Sequence, residues 1–425
     1  MRVLVVGGGG REHTMAWAIA RSSRVDALFC APGNAGTAAL GTNLALKATD
    51  LEGVIAAARE HKIDLVAVGP EDPLAAGMVD ELEAAGFAAF GPSRAAAQLE
   101  ASKWFAKDVM ERAGVATAAG RVFRDAGEAH RYIDQTFAEP PVIKADGLAA
   151  GKGVIVPDDL SGAHAAVDEL LAGRFGAASA QIVVEERLIG LEASAMAFVD
   201  GKTVSPMPFS CDYKRALDGD RGLNTGGMGV YSPPGFLSND RAPEIYGAVH
   251  EPVVEAMAKA QAPFRGILYA GLMVQEGLPG PKAASVVEFN CRFGDPETQV
   301  VLPQLQTDLV DVMEACLAGR LAEQALEWSG EPTVGVVLAS GGYPGSYETG
   351  KPISGLDAVD ADVAVFHAGT TVADDSAVLT SGGRVLTVVA HGPTLADARA
   401  RAYDNAARIE FEGCTYRSDI ALREL

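Results

Sequence analysis

Two lysines and three glycines lie close together in the segment PPVIKADGLAAGKGVI, residues 140–155. Lys144 stands on a predicted strand, and the turn that follows contains Gly147, Gly151, Lys152 and Gly153. Glycine has no Cβ, so such a turn can bring backbone N–H groups close to an anion, while the lysines supply positive charge. The segment therefore predicts a phosphate-binding turn at the tip of a β-hairpin that acts as a lid.

The spacing of these glycines excludes a Walker A loop. Gly147 to Gly151 is one residue short of G-x-x-x-x-G-K-[ST], and Gly153 stands where that motif needs a hydroxyl. A solvated surface hairpin is the alternative interpretation of this segment alone. Other parts of the chain favour the phosphate site: an acidic pair at Glu185 and Glu186, a second glycine loop at 224–229, and a strand that ends at 288–290 before Arg292.

Glu288 and Asn290 are two residues apart on that last strand, so both side chains project from the same face. Oxygen ligands of this kind suit Mg²⁺ that bridges nucleotide phosphates, and the chain has no cluster of His or Cys for a transition metal. A structural ion pair between Glu288 and Arg292 is the alternative on this strand.

Composition limits the classes of function. The formal net charge of −21 argues against non-specific binding to nucleic acid, which needs a basic surface, and makes a local cluster of lysines more informative. The absence of any apolar run of ~18 residues and of a signal-peptide pattern predicts a cytoplasmic protein with no membrane partner. The five cysteines have no C-x-x-C spacing, which argues against a zinc site and a disulfide framework.

The N-terminus reads as a strand, a glycine turn and a helix. Residues 2–6 (RVLVV) form a mainly apolar run, four glycines follow, and Arg11 opens a helical pattern through residue 20. A dinucleotide motif would need glycine at position 12, where Glu12 stands. This mismatch leaves two alternatives, a phosphate or small-anion site at the helix N-terminus and a glycine turn that serves packing only.

Two more strand–helix units complete a first domain of about 100 residues. Their loops at 69–72 and 91–93 lie where open α/β sheets bind ligands. Ser93 is expected to cap a helix that runs to about residue 112, on which Lys103 and Lys107 share one face.

The remainder reads as strands with long connections. A small α/β unit with the lid is expected at about 115–189, followed by two strands joined by a tight turn at Asp200 and Gly201. Residues 212–229 read as a polar, glycine-rich loop without structure of its own, and a loop of that length in a compact domain indicates function.

Four blocks in this order resemble the glycinamide ribonucleotide synthetase family of the ATP-grasp superfamily, and the resemblance spans essentially the whole chain. They are GGGGREH at 7–13, VIKADGLAAGKG at 142–153, NTGGMG at 224–229 and EFNCRFGDPET at 288–298. The resemblance implies an α/β chain with the ATP-grasp fold. Its expected parts are an N-terminal open parallel-sheet (Rossmann-like) domain at 1–102 and a large α+β ATP-grasp domain at 103–121 and 190–328. A lid subdomain is expected at 122–189 and a small C-terminal α/β domain at 329–425.

The same resemblance implies an ATP-dependent ligase that joins glycine to 5-phosphoribosylamine through a glycyl acyl-phosphate, in purine biosynthesis. ATP and Mg²⁺ (or Mn²⁺) are the implied cosubstrate and metal, and a monomer is expected. Lys103 and Lys144 would meet the phosphates, the strand end at 185–188 the adenine and Glu192 the ribose, with the metal on Glu288 and Asn290. The implied ATP-binding set is Lys103, Lys144, Gly147, Gly151, Lys152, Gly153, Glu185, Glu186, Leu188 and Glu192.

The implied substrate sites use residues from several domains. The phosphoribosyl end is expected at Gly8, Gly9 and Arg11. Glycine is expected near Asp212, Lys214, Arg292 and Asp295, and the resemblance adds Asn224 and Gly226 of the second glycine loop to the substrate-binding set. Arg292 would be catalytic, because negative charge develops in both steps and a cation stabilises it.

Three rival functions stay open on the sequence. One is another ATP-grasp ligase, such as a carboxylase subunit, that joins a different carboxylate and amine. The others are a nucleotide-binding oxidoreductase, which Glu12 disfavours, and a nucleotide sensor without catalysis, which would not need both Arg292 and a metal pair.

Overall fold

The computed structural model describes residues 1–149, 153–237, 239–275 and 284–425. Its N-terminal part alternates strands and helices: β1 (Arg2–Gly7), α1 (Gly10–Ala20), β2 (Ala27–Pro32), α2 (Ala35–Leu40), β3 (Thr42–Asn43), α3 (Leu51–Glu60), β4 (Leu65–Val68), α4 (Glu71–Ala76), α5 (Met78–Ala84) and β5 (Ala88–Phe90). The strands form a parallel sheet in the order β3-β2-β1-β4-β5. Residues 3–6 of β1 are fully buried, as a continuous apolar run in a sheet covered on both faces should be. The predicted open parallel sheet is confirmed.

The predicted helix from Ser93 to about residue 112 is wrong as a single element. The structure has a short helix, α6 (Gln98–Ala101), and a second one, α7 (Lys103–Ala113). Ser102 separates them in an extended conformation, and its hydroxyl accepts a hydrogen bond from Phe105 N at 3.1 Å. Ser102 rather than Ser93 is therefore the cap of the lysine-bearing helix. Gly114 ends α7 with a positive φ of 69°, as glycine does at many helix ends.

The lid unit is a four-stranded antiparallel sheet with two helices: β6 (Gly120–Phe123), α8 (Ala126–Thr136), β7 (Val142–Ala145), β8 (Val154–Ile155), α9 (Leu160–Leu171) and β9 (Ile182–Glu185). β7 pairs with β8, with Lys144 opposite Val154, so the predicted hairpin is confirmed. Two of the candidate residues in its turn, Gly151 and Lys152, lie outside the described residues.

The following segment contains β10 (Leu191–Asp200), β11 (Val204–Pro206), β12 (Cys211–Asp212), β13 (Arg215–Leu217), β14 (Arg221–Asn224), β15 (Gly229–Ser232), α10 (Ala242–Lys259), β16 (Arg265–Val274), β17 (Ala284–Asn290), α11 (Glu297–Val301) and α12 (Leu309–Leu317). Four of these strands form an antiparallel sheet in the order β11-β10-β16-β17. The predicted tight turn between β10 and β11 is confirmed, with Gly201 at a φ of 99°.

The prediction that 212–229 has no structure of its own is wrong. β13 and β14 form a two-stranded ribbon within it. Arg417, whose side chain is 1% exposed, donates to Arg215 O and to Asp220, both at 2.9 Å. These contacts come from the distant C-terminal end of the chain, which explains why the local polar pattern did not reveal the ribbon.

The C-terminal part contains β18 (Thr333–Ala339), β19 (Ala364–His367), β20 (Thr370–Val372), β21 (Val378–Thr380), β22 (Arg384–His391) and α13 (Leu395–Ala406). Its main sheet has the order β12-β15-β18-β22-β19, so it takes two strands from the 190–328 segment. The predicted domain boundaries stay predictions. Among the described residues, no helix is long and apolar enough to cross a membrane.

Candidate active site

A cavity of about 300 Å³ lies where the lid, α7, β17, the N-terminal sheet and the C-terminal sheet meet. Seven cationic and seven acidic side chains line it. The cations are Arg11, Lys103, Lys107, Lys144, Lys214, Arg292 and Arg384, and the acids are Glu71, Glu100, Glu185, Asp212, Glu288, Asp295 and Glu297. In a chain with a net charge of −21, this equal balance means that cations are concentrated at the cavity, as an anion-binding site requires.

Lys144 and Lys107 share one buried carboxylate on the lid side of the cavity. Glu185 pairs closely with Lys144 and, at 2.6 Å, with Lys107 Nζ. Lys144 Nζ also donates to Val287 O of β17 at 3.0 Å, which places it between the lid and the large sheet. The Glu185 side chain thus lies between two lysines, and only its backbone is left for the adenine edge that the resemblance implied.

Lys103 approaches the glycine turn from α7. Its Nζ donates to Gly147 O at 3.1 Å. Burial lowers the pKa of Lys103, and neighbouring Lys144 lowers it further, while Glu288 raises it. Four candidate residues of the ATP site line this part of the cavity: Lys103, Lys144, Gly147 and Gly153.

Asp146 connects this turn to the N-terminus of α7. Its Oδ1 accepts from Ser102 Oγ at 3.1 Å and from Trp104 N at 3.0 Å, and its Oδ2 accepts from Gln181. A carboxylate at a helix N-terminus satisfies N–H groups that have no partner inside the helix. The contact fixes the start of the glycine turn against the helix that carries Lys103.

Glu288 and Asn290 lie on β17 and both line the cavity, as their spacing predicted. The partly buried carboxylate and the buried amide offer oxygen donors of the kind that Mg²⁺ accepts, so the residues fit a hard divalent cation. Within the described part of the chain, no group of three or more His, Cys, Asp or Glu could hold a metal. A cation here would complete its shell with phosphate oxygens and water, as Mg²⁺ commonly does.

Arg292 is held by two carboxylates that the sequence analysis did not assign to it. Its Nη2 lies 3.0 Å from Glu100 Oε1, and its Nε lies 3.3 Å from Glu71 Oε2. Burial opposes the charge on Arg292, but Glu100 and Glu71 outweigh it and raise the pKa. Among the described residues, the ion pairs of Arg292 are with Glu71 and Glu100, not with Glu288 as the alternative interpretation had it.

Glu71 and Glu100 could be found only in part from sequence. Glu71 lies in the predicted ligand-binding loop after β4, at the start of α4. Burial raises the pKa of Glu71, but Arg292 and Arg11 outweigh it and bring the pKa to about 2. Glu100 lies in α6, and no local signal marks it; its Oε2 accepts from Cys291 N at 2.7 Å.

Asp212 and Lys214 form the opposite wall, and both line the cavity. Lys214 Nζ lies 2.8 Å from Asp212 Oδ1 and 2.8 Å from Glu192 Oε2. Lys214 lowers the pKa of Glu192. Lys214 thus connects Asp212, a candidate for binding glycine, to Glu192, the candidate for binding the ribose.

Arg384, at the start of β22, brings the C-terminal sheet to the site. Its Nη1 donates to Gly226 O at 2.6 Å and to Asp295 O at 2.9 Å, and its Nη2 lies 3.1 Å from Asp295 Oδ2. Burial raises the pKa of Asp295, but Arg384 and Arg11 reverse this and lower it. Sequence reasoning missed Arg384, because only the folded C-terminal sheet places it beside the second glycine loop.

Arg11 is the candidate of the N-terminal turn that reaches the cavity. It donates to Glu12 Oε1 at 2.6 Å and to Phe293 O at 3.1 Å. Glu12 Oε2 accepts from Gly9 N at 2.7 Å, so a side chain of the protein already occupies that N–H group. A Cβ at Gly8 would lie 2.6 Å from Gly33 O, so this glycine is required for close packing.

The remaining described candidates lie outside the cavity lining: Gly8, Gly9, Glu186, Leu188, Glu192 and Asn224. Glu186 accepts from Ala119 N at 2.8 Å, and Asn224 is exposed on β14. Their expected contacts with ligands stay predictions.

Family models match nearly the whole chain. Residues 1–100 match the phosphoribosylglycinamide synthetase N domain, residues 101–298 its ATP-grasp (A) domain and residues 333–423 its C domain. The phosphoribosylamine–glycine ligase of Allochromatium vinosum is 50% identical over 430 residues, covering 100% of this chain and 99% of the relative. The Salmonella typhimurium ligase is 49% identical, with the same coverage.

Solved structures agree with these matches. Phosphoribosylamine–glycine ligase from Thermotoga maritima has a TM-score of 0.86 and 35% identity, covering 99% of this chain and 100% of that one. Biotin carboxylase from Campylobacter jejuni, solved as a β-γ-ATP complex, has a TM-score of 0.74 and 15% identity, covering 97% and 92%, which shows a shared fold alone. The ATP-grasp fold predicted from sequence is confirmed, and the chain belongs to the phosphoribosylglycinamide synthetase family of ATP-grasp ligases.

Proposed function

We propose that this chain joins glycine to 5-phosphoribosylamine, with ATP cleaved to ADP and phosphate, and so forms glycinamide ribonucleotide in purine biosynthesis. The observation that carries the proposal is a single cavity whose lining comes from separate parts of the chain. It contains lysines that can bind phosphate, a carboxylate and an amide at the end of β17 that can hold a metal, and a buried arginine. The relatives with about 50% identity over the full chain are phosphoribosylamine–glycine ligases, which supports these substrates.

ATP lies between the lid and the large sheet in this proposal. Lys103 and Lys144 neutralise its phosphates, and the backbone that follows Glu185 meets the adenine. Glu288 and Asn290 would hold a divalent cation, Mg²⁺ or Mn²⁺, which would supply positive charge to the phosphate oxygens. The chain's own contribution is to hold these groups in fixed positions before the reaction.

The reaction needs no covalent nucleophile from the protein. The carboxylate of glycine attacks the γ-phosphorus, and the amine then displaces phosphate from the acyl phosphate. Arg292, buried and fixed by Glu71 and Glu100, stabilises the negative charge that develops on oxygen in both steps. Closure of the glycine hairpin excludes water, which would otherwise hydrolyse the acyl phosphate.

The two substrates enter from different parts of the chain. Glycine binds near Asp212, Lys214, Arg292 and Asp295. The phosphoribosyl end extends toward Arg11 of the N-terminal turn, with the second glycine loop beside it. The enzyme acts as a monomer in the cytoplasm.

Omission of one substrate at a time tests the proposal. Phosphate release should require ATP, glycine and phosphoribosylamine together, with a background rate when either glycine or the amine is left out. Bicarbonate in place of glycine, and ammonia in place of the amine, separate this reaction from that of other ATP-grasp ligases. Phosphate release that depends on bicarbonate, or that ignores the amine, would refute the proposal.

A further inference from the structure

Asp212 is a buried carboxylate in the wall of the cavity. Its side chain is 6% exposed, and it lies on β12 at the point where the large unit and the C-terminal sheet share a strand. Lys214 Nζ contacts Asp212 Oδ1 at 2.8 Å and fixes the carboxylate in place.

The second glycine loop lies directly against this pair. Thr225 donates to Lys214 O through its backbone N at 2.7 Å and through its hydroxyl at 2.8 Å. Thr225 and Gly226 line the same cavity as Asp212. Asp212 is therefore positioned beside the loop along which the amine substrate is proposed to lie.

Three other acids of the lining make close contacts of their own. Glu185 holds Lys107 and Lys144, and Glu100 holds Arg292 and Cys291 N. Glu297 Oε1 accepts from Ser194 Oγ and Tyr269 Oη, each at 3.0 Å.

Three acids remain for comparison with Asp212. Glu71 and Asp295 face arginines that lower the pKa of each carboxyl, which makes both weak bases. Glu288 lies on the strand end proposed to hold the metal. Among the described residues, Asp212 differs from these three acids, because its one ion-paired cation, Lys214, is shared with a second carboxylate, Glu192.

We propose that Asp212 is the general base that removes a proton from the attacking amine. The inference rests on the proposed function. The amine nitrogen forms a bond to the carbonyl carbon of the glycyl acyl phosphate and loses one N–H proton to the Asp212 carboxylate. The C–O bond to phosphate then breaks, phosphate leaves with the electron pair, and Asp212 returns the proton to water.

The electrostatic surroundings suit this role near neutral pH. Burial raises the pKa of Asp212 to about 6, with Lys214 opposing it and Glu297 and Glu192 adding to it. Tyr269, which hydrogen-bonds to Glu297, and Cys211, the neighbour of Asp212 on β12, are further titratable groups on this side, and Arg423 contacts Cys211. A base works best when its pKa lies near the working pH, and Asp212 is ionised above about pH 6.

Asp212→Asn tests the inference in two half-reactions. Glycine-dependent scrambling of the bridging ¹⁸O of ATP reports formation of the acyl phosphate, and single-turnover formation of the amide reports attack by the amine. Both half-reactions are measured at saturating glycine, because Asp212 also lies beside the proposed glycine site. We expect amide formation to fall by roughly 10²- to 10⁴-fold, the usual range for a lost general base, and scrambling to fall by less than about tenfold. Equal losses in both half-reactions, or normal amide formation, would overturn the inference.

The wild-type pH profile provides a second measurement that does not depend on the folding of a variant. The ratio of amide formation to scrambling should fall about tenfold per pH unit below the pKa of the base, and Asp212→Glu should restore this acidic limb with a shifted midpoint. Asp404→Asn, at an exposed position of α13, is the matched control. A flat ratio across pH 5–7 would overturn the role of Asp212, whereas wild-type enzyme that ignores the amine refutes the proposed function itself.

Discussion

Single residues in the cavity show how buried cations are stabilised. Lys144 and Lys107 share Glu185, Lys214 shares two carboxylates, and Arg292 lies between Glu71 and Glu100. A buried charge without a partner costs several kcal/mol, so these acids make it possible to keep the cations inside. A substitution in this set would remove a proposed contact with substrate and would also leave a carboxylate without its partner.

Lys144→Ala should raise the KM for ATP and slow turnover. One charge-assisted hydrogen bond to phosphate contributes ~1.5–3 kcal/mol, which corresponds to very roughly ten- to a hundredfold. Glu185 keeps Lys107 at 2.6 Å, so the fold should survive. Steady-state kinetics beside Lys202→Ala, an exposed lysine in the β10–β11 turn, provide the measurement and the control. Unchanged kinetics in Lys144→Ala would remove Lys144 from the ATP site.

Arg292→Lys should reduce turnover by ~10²-fold or more, as loss of an oxyanion donor does. Lysine keeps the charge but lacks the planar fork that holds two oxygens at once. The affinity for ATP, measured by calorimetry, should change little, because the proposed ATP contacts are made by other residues. If ATP binding collapses while single-turnover amide formation stays normal, Arg292 is a nucleotide anchor and the proposed reaction centre is wrong.

Local sequence revealed some of these residues and not others. Lys144, Glu288 and Arg292 could be predicted because each stands in a short motif whose spacing has a chemical meaning. Glu100 and Arg384 could not, because an acid in a helix and an arginine at a strand start are common on any surface. Only long-range packing places them 3.0 Å from Arg292 and 3.1 Å from Asp295.

At the scale of elements, the junction between α7 and the lid hairpin connects the nucleotide site to the fold. Asp146 accepts from Ser102 and Trp104 at the start of α7, and Lys103 of the same helix reaches Gly147. The helix and the hairpin therefore position each other, and a weaker junction should affect ATP binding as well as stability.

Asp146→Ala should lower the melting temperature and raise the KM for ATP. Loss of a helix-terminal acceptor costs about 1 kcal/mol, and the start of the glycine turn loses its contact with α7. Asp125→Ala is a matched control, because Asp125 caps α8 through Glu128 N at 2.9 Å, away from the cavity. The control should melt earlier with an unchanged KM for ATP. Equal effects on KM in both variants would show that Asp146 acts through stability alone.

Regular elements were easier to predict than their interruptions. The β7–β8 hairpin and the parallel N-terminal sheet follow from apolar runs bounded by glycine. The break at Ser102 does not, because residues 98–113 are rich in helix formers on both sides of it and Asp146, which contacts Ser102, is distant in sequence. The β13–β14 ribbon was missed for a similar reason, because Arg417, which is distant in sequence, donates a hydrogen bond to it at Arg215 O.

At the scale of the whole molecule, the N-terminal and C-terminal parts meet through two histidines. His13 of α1 accepts a hydrogen bond at Nδ1 from His367 N of β19 at 2.8 Å. Burial lowers the pKa of His13 to about 3, with His367 contributing, and burial lowers the pKa of His367 to about 4. Both rings are therefore neutral in the folded protein at neutral pH.

A fall in pH should lower the free energy of unfolding through these two histidines. An unfolded histidine binds a proton near pH 6.5 while the folded pair resists it, so stability falls as pH drops from about 6.5 toward the folded values, by up to about 1.4 kcal/mol per pH unit for each ring. His13→Asn keeps an acceptor and removes one titrating group. Denaturation curves between pH 7 and 4.5 should show a shallower pH dependence for this variant. An identical dependence in both proteins would contradict the role of His13.

The fate of the carboxylate oxygens of glycine tests the central claim most directly. With glycine carrying ¹⁸O in both carboxylate oxygens, attack on the γ-phosphorus followed by displacement by the amine transfers one ¹⁸O to phosphate and leaves one in the amide. Mass spectrometry of a single turnover should find one ¹⁸O in each molecule of released phosphate. Phosphate without ¹⁸O, formed while the amide product appears, would contradict the acyl-phosphate route and the placing of the glycine carboxylate beside Arg292 and ATP.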